Sequence, residues 1–368
     1  MDLIQASRGT RDILPDEVTY WQNVEQVARQ CLQRAAYQEI RTPIFEQTNL
    51  FERGIGEATD IVGKEMYTFR DRGDRSVTLR PEGTAGAVRA FIEHKLHAQG
   101  GAQRLWYTGP MFRYERPGAG RQRQFHQLGV EVLGSANPRA DAEVIALAAG
   151  IFRALGLTDW TLALNSLGTF EDRQAYREAL VSYFEPHKQD LDPDSQDRLY
   201  RNPLRILDSK DAKTQAIAQD APSIQEYLCD DSREHFSTVK ALLETLEIPY
   251  HLDTCLVRGL DYYTHTAFEF KLAELGTQGT ICGGGRYDRL VAELGGPETP
   301  AVGWAIGLER LVMLLQERQH QSKTAPDIYV VARGAVAEAQ ALHVTTKLQA
   351  ESFQVEMDLS GSAFKKQM

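Results

Sequence analysis

The chain has 368 residues, of which 42% are hydrophobic and 25% are charged. This composition is typical of a soluble globular protein with two or three domains. No apolar stretch approaches the roughly 20 residues that span a bilayer, and the N-terminus lacks the apolar core of a signal peptide. The four cysteines show no CxxC spacing, so neither a disulfide framework nor a zinc site is indicated, which points to the cytoplasm. The net charge of −10 argues against nucleic acid covering the whole surface but permits a local basic patch.

The N-terminal region is predicted to form a helix followed by a short strand. Apolar residues recur at helical spacing over residues 17–37. Residues 39–47 are strand-like but contain Pro43, which cannot donate to a central ladder, so we expect it at an edge or an end of a sheet. A long helix that feeds an edge strand suits a subunit interface, and a plain surface helix fits the pattern equally well.

Residues 64–80 predict a β-hairpin around a turn at residues 71–74. A helix is predicted to begin with Pro81 in its first turn, where the missing N–H is harmless. The neighbouring Glu82 has two interpretations: a carboxylate that interacts with the helix dipole, or one that holds an ammonium group. The spacing does not decide between them.

Residues 105–133 predict two strands joined by a loop rich in arginine and glycine, with alternate side chains on opposite faces. A hairpin with a solvated outer face is the simpler interpretation. However, a phenylalanine lies in line with the polar side chains, and the arginines of the loop have no acidic neighbour. These features favour a planar ligand that carries phosphates, such as a nucleotide. One face is apolar, and the other is expected to carry Arg113, Glu115, Phe125, Gln127 and Glu131.

Residues 170–248 differ in character, because charged and helix-forming residues are frequent and prolines punctuate them. We expect a helical insertion of three or four helices that acts as a lid or an arm. Strand patterns resume at residue 250 and are interrupted by Arg258 and Gly259. The glycine run 283–285 is too flexible for a strand interior and predicts a bend or a place where a ligand meets the backbone. The phosphate-binding motifs GxxxxGK[ST] and GxGxxG are absent.

Residues 301–317 predict a buried strand that leads into an amphipathic helix, with Arg310 in the first helical turn. The helix dipole disfavours a cation there, and an anion between Arg310 and the helix would reverse the penalty. The last segment predicts a strand, a helix and a second, parallel strand. This unit is too small to bury a core, so we expect a C-terminal domain that is cut short.

Six stretches together resemble histidyl-tRNA synthetases, which are class II aminoacyl-tRNA synthetases. The class I signatures HIGH and KMSKS are absent. The resemblance runs from about residue 5 to the end of the chain, and RGLDYYT is the most specific motif. The stretches are RGTRD (8–12), LRPEGTA (79–85), FRYERPGAGRQRQFHQLGVEVLG (112–134), RGLDYYT (258–264), CGGGRYD (282–288) and VGWAIGLERL (302–311).

The resemblance implies an α+β fold: a class II catalytic domain with an antiparallel β-sheet flanked by helices, a helical insertion, and an incomplete C-terminal α/β domain. The first part of the catalytic domain would occupy residues 1–168, with the dimer motif and the ATP hairpin. The insertion would occupy residues 169–250 and the second catalytic part residues 251–320. Residues 326–368 would begin the anticodon-binding domain.

The resemblance also implies roles for individual residues. Arg258 and Arg113 would be catalytic, because they would stabilise charge at the α-phosphate. ATP would be bound by Arg113, Glu115, Arg121, Phe125 and Arg310. Histidine would be bound by Glu82, Thr84, Arg113, Gln127, Glu131, Arg258, Tyr262 and Tyr263.

The implied activity is ATP-dependent activation of L-histidine and its transfer to tRNA(His) by a cytoplasmic homodimer without membrane contact. Mg²⁺ is expected at the outer phosphates, with no metal ligand assigned on the protein. The nearest alternative is the regulatory paralogue that assembles with ATP phosphoribosyltransferase in histidine biosynthesis. The intact arginines 113, 258 and 310 and the RGLDYYT stretch argue against it. A synthetase-like RNA-sensing module without activity is a further alternative.

Overall fold

An eight-stranded sheet organises the larger part of the computed structural model, which describes residues 3–56, 59–118, 120–274, 279–318 and 325–367. The chain divides into two units, residues 1–318 and 319–368. The sheet is antiparallel except for one parallel pair at each edge, so the predicted α+β fold with an antiparallel sheet is confirmed. In spatial order the strands are β1 (Gln38–Glu39), β5 (Gln103–Phe112), β6 (Gln124–Leu133), β11 (Ala301–Gly307), β10 (Thr280–Arg286), β9 (Thr264–Lys271), β7 (Thr161–Ser166) and β8 (His251–Leu252).

A second, three-stranded antiparallel sheet has the order β2 (Phe45–Gln47), β4 (Ser76–Leu79), β3 (Tyr67–Arg70). The predicted hairpin within residues 64–80 is therefore confirmed. Its turn is closed by the carboxylate of Asp71, which accepts hydrogen bonds from the backbone N–H of Gly73 at 2.8 Å and of Arg75 at 3.0 Å. Pro43 lies between β1 and β2, outside both strands, as its missing donor requires.

Helices cover the sheets and begin at residues that suit their termini. Pro15 starts the first helix, and the Asn137 side chain accepts a hydrogen bond from the N–H of Arg139 at 3.0 Å to cap the fourth. None of the described helices is long and apolar enough to cross a membrane. The helices of the first unit are α1 (Pro15–Arg34), α2 (Thr48–Ile55), α3 (Thr84–Glu93), α4 (Pro138–Ala154), α5 (Phe170–Phe184), α6 (Pro193–Arg198), α7 (Ala212–Gln219), α8 (Asp230–Thr245), α9 (Leu290–Glu293) and α10 (Leu308–Arg318).

The start of α3 corrects a prediction, because the helix begins at Thr84 and leaves Pro81 outside it. The carboxylate of Glu82 accepts hydrogen bonds from the N–H groups of Thr84 at 2.6 Å and Ala85 at 2.8 Å. Two amides that lack a helical partner are thereby satisfied, which favours a helix that starts after Glu82.

The main core lies between one face of the eight-stranded sheet and helices α1, α4, α8 and α10. On β6 the side chains of Leu128, Val130 and Val132 are buried in this core. Alternation in the strand sends Gln127 and Glu131 to the opposite face. The predicted division of this strand into an apolar and a polar face is thus confirmed.

The hairpin ends earlier than the sequence suggested. Strand β5 stops at Phe112, so Arg113 and Glu115 lie beyond it rather than in the ladder. Other segments take the backbone groups there: the N–H of Tyr114 bonds to the carbonyl of Glu65, and the N–H of Arg123 bonds to the carbonyl of Gly9. The regular ladder therefore stops, and beyond it the two arms are joined by single bonds such as that from the N–H of Arg113 to the carbonyl of Arg123 at 2.9 Å.

The glycine run 283–285 lies inside β10 and is paired on both sides, so the predicted bend is wrong, and the alternative of a place where a ligand meets the backbone stays a prediction. Gly284 and Gly285 are needed because backbone carbonyls of the two neighbouring strands lie close to them. A Cβ at Gly284 would lie 2.2 Å from the carbonyl oxygen of Gly303, and one at Gly285 would lie 2.5 Å from that of Thr266. Close approach of neighbouring atoms explains the run, whereas flexibility does not.

The helical segment after β7 contains α5, α6, α7 and α8, with short 3₁₀ turns at Glu185–Asp190, Pro203–Ile206 and Ile224–Glu226. Helix α8 packs against α4 in the main core, whereas α5 contributes Tyr176, Leu180 and Phe184 to a second apolar cluster. The boundaries of this segment as a separate insertion, residues 169–250, stay a prediction.

The second unit has the predicted strand, helix and parallel strand: β12 (Ile328–Val330), α11 (Ala335–Ala350) and β13 (Val355–Met357), followed by α12 (Phe364–Gln367). The helix connects two parallel neighbours, as a βαβ crossover does. Residues 319–324, which include the end of the predicted second catalytic part at residue 320, lie outside the described residues.

Candidate active site

A cleft of about 650 Å³ lies beside the polar face of β6. Its walls come from β6, the loop after β5, the start of α3, the segment before β9, and α10, so parts of the chain that are distant in sequence meet here. All the side chains that the sequence assigned to a site line this one cleft: Glu82, Thr84, Arg113, Glu115, Arg121, Phe125, Gln127, Glu131, Arg258, Tyr262, Tyr263 and Arg310.

Glu131 lies at the buried end of the cleft and accepts three hydrogen bonds from hydroxyl groups. Thr84 Oγ1 donates at 2.7 Å, Tyr107 Oη donates at 3.1 Å, and the hydroxyl of Tyr287 donates to the other carboxylate oxygen. Burial raises the pKa of Glu131 to about 8, although the three hydroxyl donors oppose the change. The carboxyl group therefore takes up or releases a proton near neutral pH.

Two of these donors, Tyr107 and Tyr287, were missed by the sequence analysis. A signal for Tyr107 was present, because Gly129 lies among the polar residues of β6 and a glycine there leaves room for a neighbouring ring. Gly129 is paired with Tyr107, and a Cβ on it would lie 2.3 Å from Tyr107 Oη. Tyr287 lies two residues after the glycine run, so the stretch that was read as a bend leads to a side chain of the site.

Glu82 interacts with the start of α3, as the first interpretation has it, and the second, a carboxylate that holds an ammonium group, stays a prediction. Its carboxylate satisfies amides of α3, and it also lines the cleft. Burial raises the pKa of Glu82, and the hydrogen bonds from the amides partly offset this effect. A positively charged ligand group beside it would favour the ionised form.

The open half of the cleft is rich in arginine. Arg113 Nε donates to the carbonyl of Pro81 at 2.8 Å, and the guanidinium carbon lies 5.3 Å from the ring centre of Phe125. Glu115 lies 3.8 Å from Arg113 and 3.6 Å from Arg121, so the arginines do have an acidic neighbour, contrary to the sequence analysis. Because these ion pairs are long, N–H groups of both arginines can donate to a ligand.

Arg310 approaches the same region from the first turn of α10. Its Nη1 donates to the carbonyl of Thr280 at 2.8 Å, and its stem passes over Gly120, where a Cβ would lie 2.7 Å from Cγ. Burial lowers the pKa of Arg310, and the positive charge of Arg121 acts in the same direction. Two cations close together favour an anionic ligand between them.

Arg258 lies where the two halves of the cleft meet. It donates a hydrogen bond to Glu269, which in turn accepts one from Thr280 Oγ1 at 2.8 Å. Its guanidinium carbon lies 5.5 Å from the ring centre of Tyr263. Glu269, which holds the arginine in place, is a third residue that the sequence analysis missed, since nothing in the order of residues brings β9 to this loop.

Two buried polar atoms of the cleft have no hydrogen-bond partner within the described part of the chain. They are Arg258 Nε, a donor, and Gln127 Oε1, an acceptor. Buried polar groups are normally satisfied, so each is a position for a ligand atom of the opposite kind. An amino acid supplies both, because its carboxylate accepts and its ammonium donates.

The donor set does not form a metal cage. Among the residues that the structure describes, no group of three or more His, Cys, Asp or Glu side chains is placed to hold a metal ion. The arrangement suits a ligand with anionic groups at one end and a cationic group at the other.

Comparison with known proteins agrees with this chemistry. A protein-family model described as histidyl-tRNA synthetase matches residues 9–311. A histidine–tRNA ligase of Acaryochloris marina (strain MBIC 11017) is 73% identical over 368 residues, which is 100% of this chain and 86% of the relative.

Solved structures give the same result. The apo crystal structure of Staphylococcus aureus histidyl-tRNA synthetase has a TM-score of 0.82 and 40% identity, covering 100% of this chain and 88% of that one. A Bacillus halodurans protein titled ATP phosphoribosyltransferase regulatory subunit/histidyl-tRNA synthetase has a TM-score of 0.73, covering 99% and 95% of the two chains, but its 22% identity shows the fold alone. The resemblance found in the sequence motifs is confirmed, and the chain belongs to the histidyl-tRNA synthetase family.

Proposed function

We propose that the chain is a histidine–tRNA ligase, which activates L-histidine with ATP and transfers the histidyl group to the 3′ end of tRNA(His). Its family membership and its identity to a histidine–tRNA ligase over the whole chain support this function. The observation that carries the proposal is the cleft itself. It places three arginines at its open half, Arg258 where the two halves meet, and the buried carboxyl groups of Glu82 and Glu131 at the other half.

ATP is assigned to the arginine-rich half. Arg113 would bind the α-phosphate, Arg121 and Arg310 the outer phosphates, and guanidinium groups suit phosphate oxygens. Phe125 would stack on adenine, and Glu115 would accept a hydrogen bond from the adenine amine. The position of Phe125 beside Arg113 supports this order, because it puts a ring next to the proposed α-phosphate contact.

Histidine is assigned to the buried half. Glu82, Thr84 and Gln127 would bind the α-ammonium group, which matches the unpartnered acceptor on Gln127. Glu131 and Tyr263 would contact the two nitrogens of the imidazole, with Tyr262 beside them. A neutral imidazole presents one N–H and one lone pair, so reading it requires an acceptor and a donor. A wrong side chain would leave these buried groups unpaired, which penalises other amino acids.

The first reaction step joins the two ligands. The histidine carboxylate attacks the α-phosphorus of ATP in line, a new P–O bond forms, and pyrophosphate leaves. Arg113 and Arg258 would hold the carboxylate and stabilise the charge that develops on the α-phosphate. The ribose hydroxyl at the 3′ end of tRNA then attacks the acyl carbon and releases AMP. Positioning and preorganised positive charge account for most of such catalysis.

Mg²⁺ is proposed to accompany ATP. Hard cations of this kind are often held by substrate phosphates and water with few protein ligands, and the cleft offers scattered carboxylates rather than a cage. The ion would neutralise charge on the outer phosphates beside Arg121 and Arg310.

The remaining assignments concern partners and domains. We propose a cytoplasmic homodimer in which the region of α1 and β2 forms the contact, since Ile44 and Phe45 are exposed there. Residues 169–250 are proposed as an inserted domain and residues 326–368 as part of an anticodon-binding domain. The loop between β5 and β6 is where we place the acceptor end of the tRNA.

The regulatory paralogue of ATP phosphoribosyltransferase is less well supported. The structural likeness to the Bacillus halodurans protein is one of fold alone, whereas the high-identity relative is a ligase. The complete set of arginines and carboxylates in the cleft also favours catalysis over a purely regulatory role.

The test is amino-acid-dependent exchange of labelled pyrophosphate into ATP, measured with a panel of amino acids. We expect exchange with histidine and at most trace exchange with the others. A folded, dimeric sample that shows no exchange with histidine would refute the ligase function and promote the regulatory alternative.

A further inference from the structure

The segment between β8 and β9 carries Arg258, Tyr262 and Tyr263 into the cleft, yet residues 253–263 form neither strand nor helix. A segment without its own ladder of hydrogen bonds keeps its position through contacts with its surroundings. Two of these contacts come from side chains of the helical segment after β7, and a third comes from β7 with the support of that segment.

The first contact joins α5 to the proposed histidine pocket. Nη1 of Arg173 donates to the backbone carbonyl of Tyr263 at 2.5 Å. The charge of Arg173 also acts on Asp261: burial raises the pKa of this carboxyl group, and Arg173 is the largest opposing influence. One side chain of α5 therefore interacts with the segment at two positions, on either side of Tyr262.

The second contact holds Asp261 and also comes from the helical segment after β7. Asn202 Nδ2 donates to Asp261 Oδ1 at 2.8 Å, while the N–H of Asp261 donates to the carbonyl of Ile55 at 3.2 Å. Gly56 makes room for this residue, since a Cβ there would lie 2.9 Å from Asp261 Oδ2. Asp261 is thus fixed between the helical segment and the end of α2.

The third contact is indirect and supports the start of the segment. Asn165 of β7 donates from Nδ2 to the carbonyls of Thr254 at 3.3 Å and Leu256 at 3.0 Å. Gln225, from the helical segment, donates to Asn165 Oδ1 at 3.1 Å and fixes the orientation of this amide. The segment is therefore held at both ends by residues outside it.

We propose that Arg173 and Asn202 are positioning residues, through which the helical segment sets the affinity of the cleft for histidine. This inference rests on the proposed function. Neither residue belongs to the assigned ligand contacts; each acts on the backbone or side chain of the segment that presents Arg258, Tyr262 and Tyr263. The ATP contacts lie on the hairpin of β5 and β6 and on α10, so the effect is expected to be selective for the amino acid.

The experiment measures histidine-dependent pyrophosphate exchange for the full chain and for Arg173→Ala, Arg173→Lys and Asn202→Ala. We expect the KM for histidine to rise about tenfold or more in the alanine variants, with the KM for ATP within about twofold, since a lost hydrogen bond to a charged group is worth about 1.5–3 kcal/mol. Arg173→Lys keeps a donor and a positive charge and should fall between. Lys213→Ala removes an exposed ion pair with Asp190 in the same helical segment and serves as the control.

The outcomes separate this inference from the proposed function. If the unmodified chain shows no exchange with histidine, the ligase function itself fails. If it does exchange, unchanged KM values in both alanine variants would overturn the positioning role. So would equal increases in both KM values together with a lowered Tm and no recovery in Arg173→Lys. Should Arg173→Ala fail to fold, Asn202→Ala and Arg173→Lys carry the same comparison.

Discussion

Gly283 lies directly beneath the guanidinium of Arg258, and a Cβ on this glycine would come within 2.4 Å of Arg258 Nη2. The guanidinium of Arg258 therefore packs on the backbone of β10, and a hydrogen bond to Glu269 on the adjacent strand β9 fixes its orientation. The close approach of Arg258 explains why a glycine stands inside this strand, and a substitution of Gly283 tests the explanation.

Gly283→Ala is expected to lower histidine-dependent exchange by about 100-fold or more, because the added methyl group displaces Arg258. The loss should approach that of Arg258→Ala, and the cost in unfolding free energy should be about 1–3 kcal/mol. Gly150→Ala in α4 is the matched control, since a Cβ there meets nothing within 4 Å. Full activity of Gly283→Ala would show that the position of Arg258 is unimportant.

Tyr287→Phe removes one of the three hydroxyl donors to Glu131. We expect the KM for histidine to rise about fivefold to thirtyfold, equivalent to about 1–2 kcal/mol, because a buried carboxyl group loses a hydrogen bond. The same change should raise the pKa of Glu131 further. Tyr37→Phe is the control, because it removes a hydrogen bond of 3.1 Å to Glu143, which does not line the cleft. Equal effects of the two changes would contradict a specific role for Tyr287.

Glu131 also gives the unfolding free energy a defined dependence on pH. Its pKa is near 4.5 when exposed and about 8 in the folded chain, so folding favours the protonated form. The contribution of this carboxyl group to the free energy of unfolding is fully present below pH 4.5 and is lost as the pH rises through 8. The loss is several kcal/mol at most, since one pH unit is worth about 1.4 kcal/mol. The free energy of unfolding, measured with denaturant, should therefore increase for Glu131→Gln relative to the unmodified chain as the pH rises from 5 to 9.

A control for this pH effect is Glu143→Gln. The hydrogen bond from Arg104 lowers the pKa of Glu143, so this carboxylate is already ionised across the same range. Its variant should show a difference from the unmodified chain that is constant between pH 5 and 9. A pH-independent difference for Glu131→Gln as well would rule out the raised pKa.

Asp141→Asn tests a buried ion pair behind the site. Asp141 and Arg286 are both fully buried, and Arg286 precedes Tyr287 in the chain. The change should cost about 3–5 kcal/mol of unfolding free energy, because the buried guanidinium loses its fully buried carboxylate partner and keeps only the partly exposed Asp288. Burial opposes ionisation of Asp141, but the charge of Arg286 and the hydrogen bonds from Arg286 and His235 together outweigh it and lower the pKa to about 2. This stabilisation is therefore present above pH 3.8 and lost as pH falls through 2.

The control for Asp141 is Asp159→Asn, which breaks an exposed ion pair with Arg318. Exposed pairs are worth at most about 1 kcal/mol, so its unfolding free energy should change little. Equal costs for the two variants would show that burial does not determine the strength of the Asp141 pair.

The predictions that succeeded rest on patterns among residues that are close together in the sequence. The alternation along β6 depends only on strand geometry, so the division between Val130 on the core side and Glu131 on the cleft side could be read directly. The hairpin at residues 64–80 and the strand, helix and strand at the C-terminus rest on equally local patterns. The end of β5 could not be read in this way, because distant partners such as Glu65 and Gly9 determine where the ladder stops.

The sequence by itself determined the family and twelve of the side chains that line the cleft, because motif residues and strand periodicity are properties of chain order. Only the tertiary structure decided how these side chains are supported. Tyr107, Tyr287 and Glu269 reach Glu131 and Arg258 through strand pairings that no local pattern specifies, and the run at Gly283 is explained by atoms that cross it from elsewhere in the fold. Burial likewise exists only after folding, and burial raises the pKa of Glu131 toward neutrality.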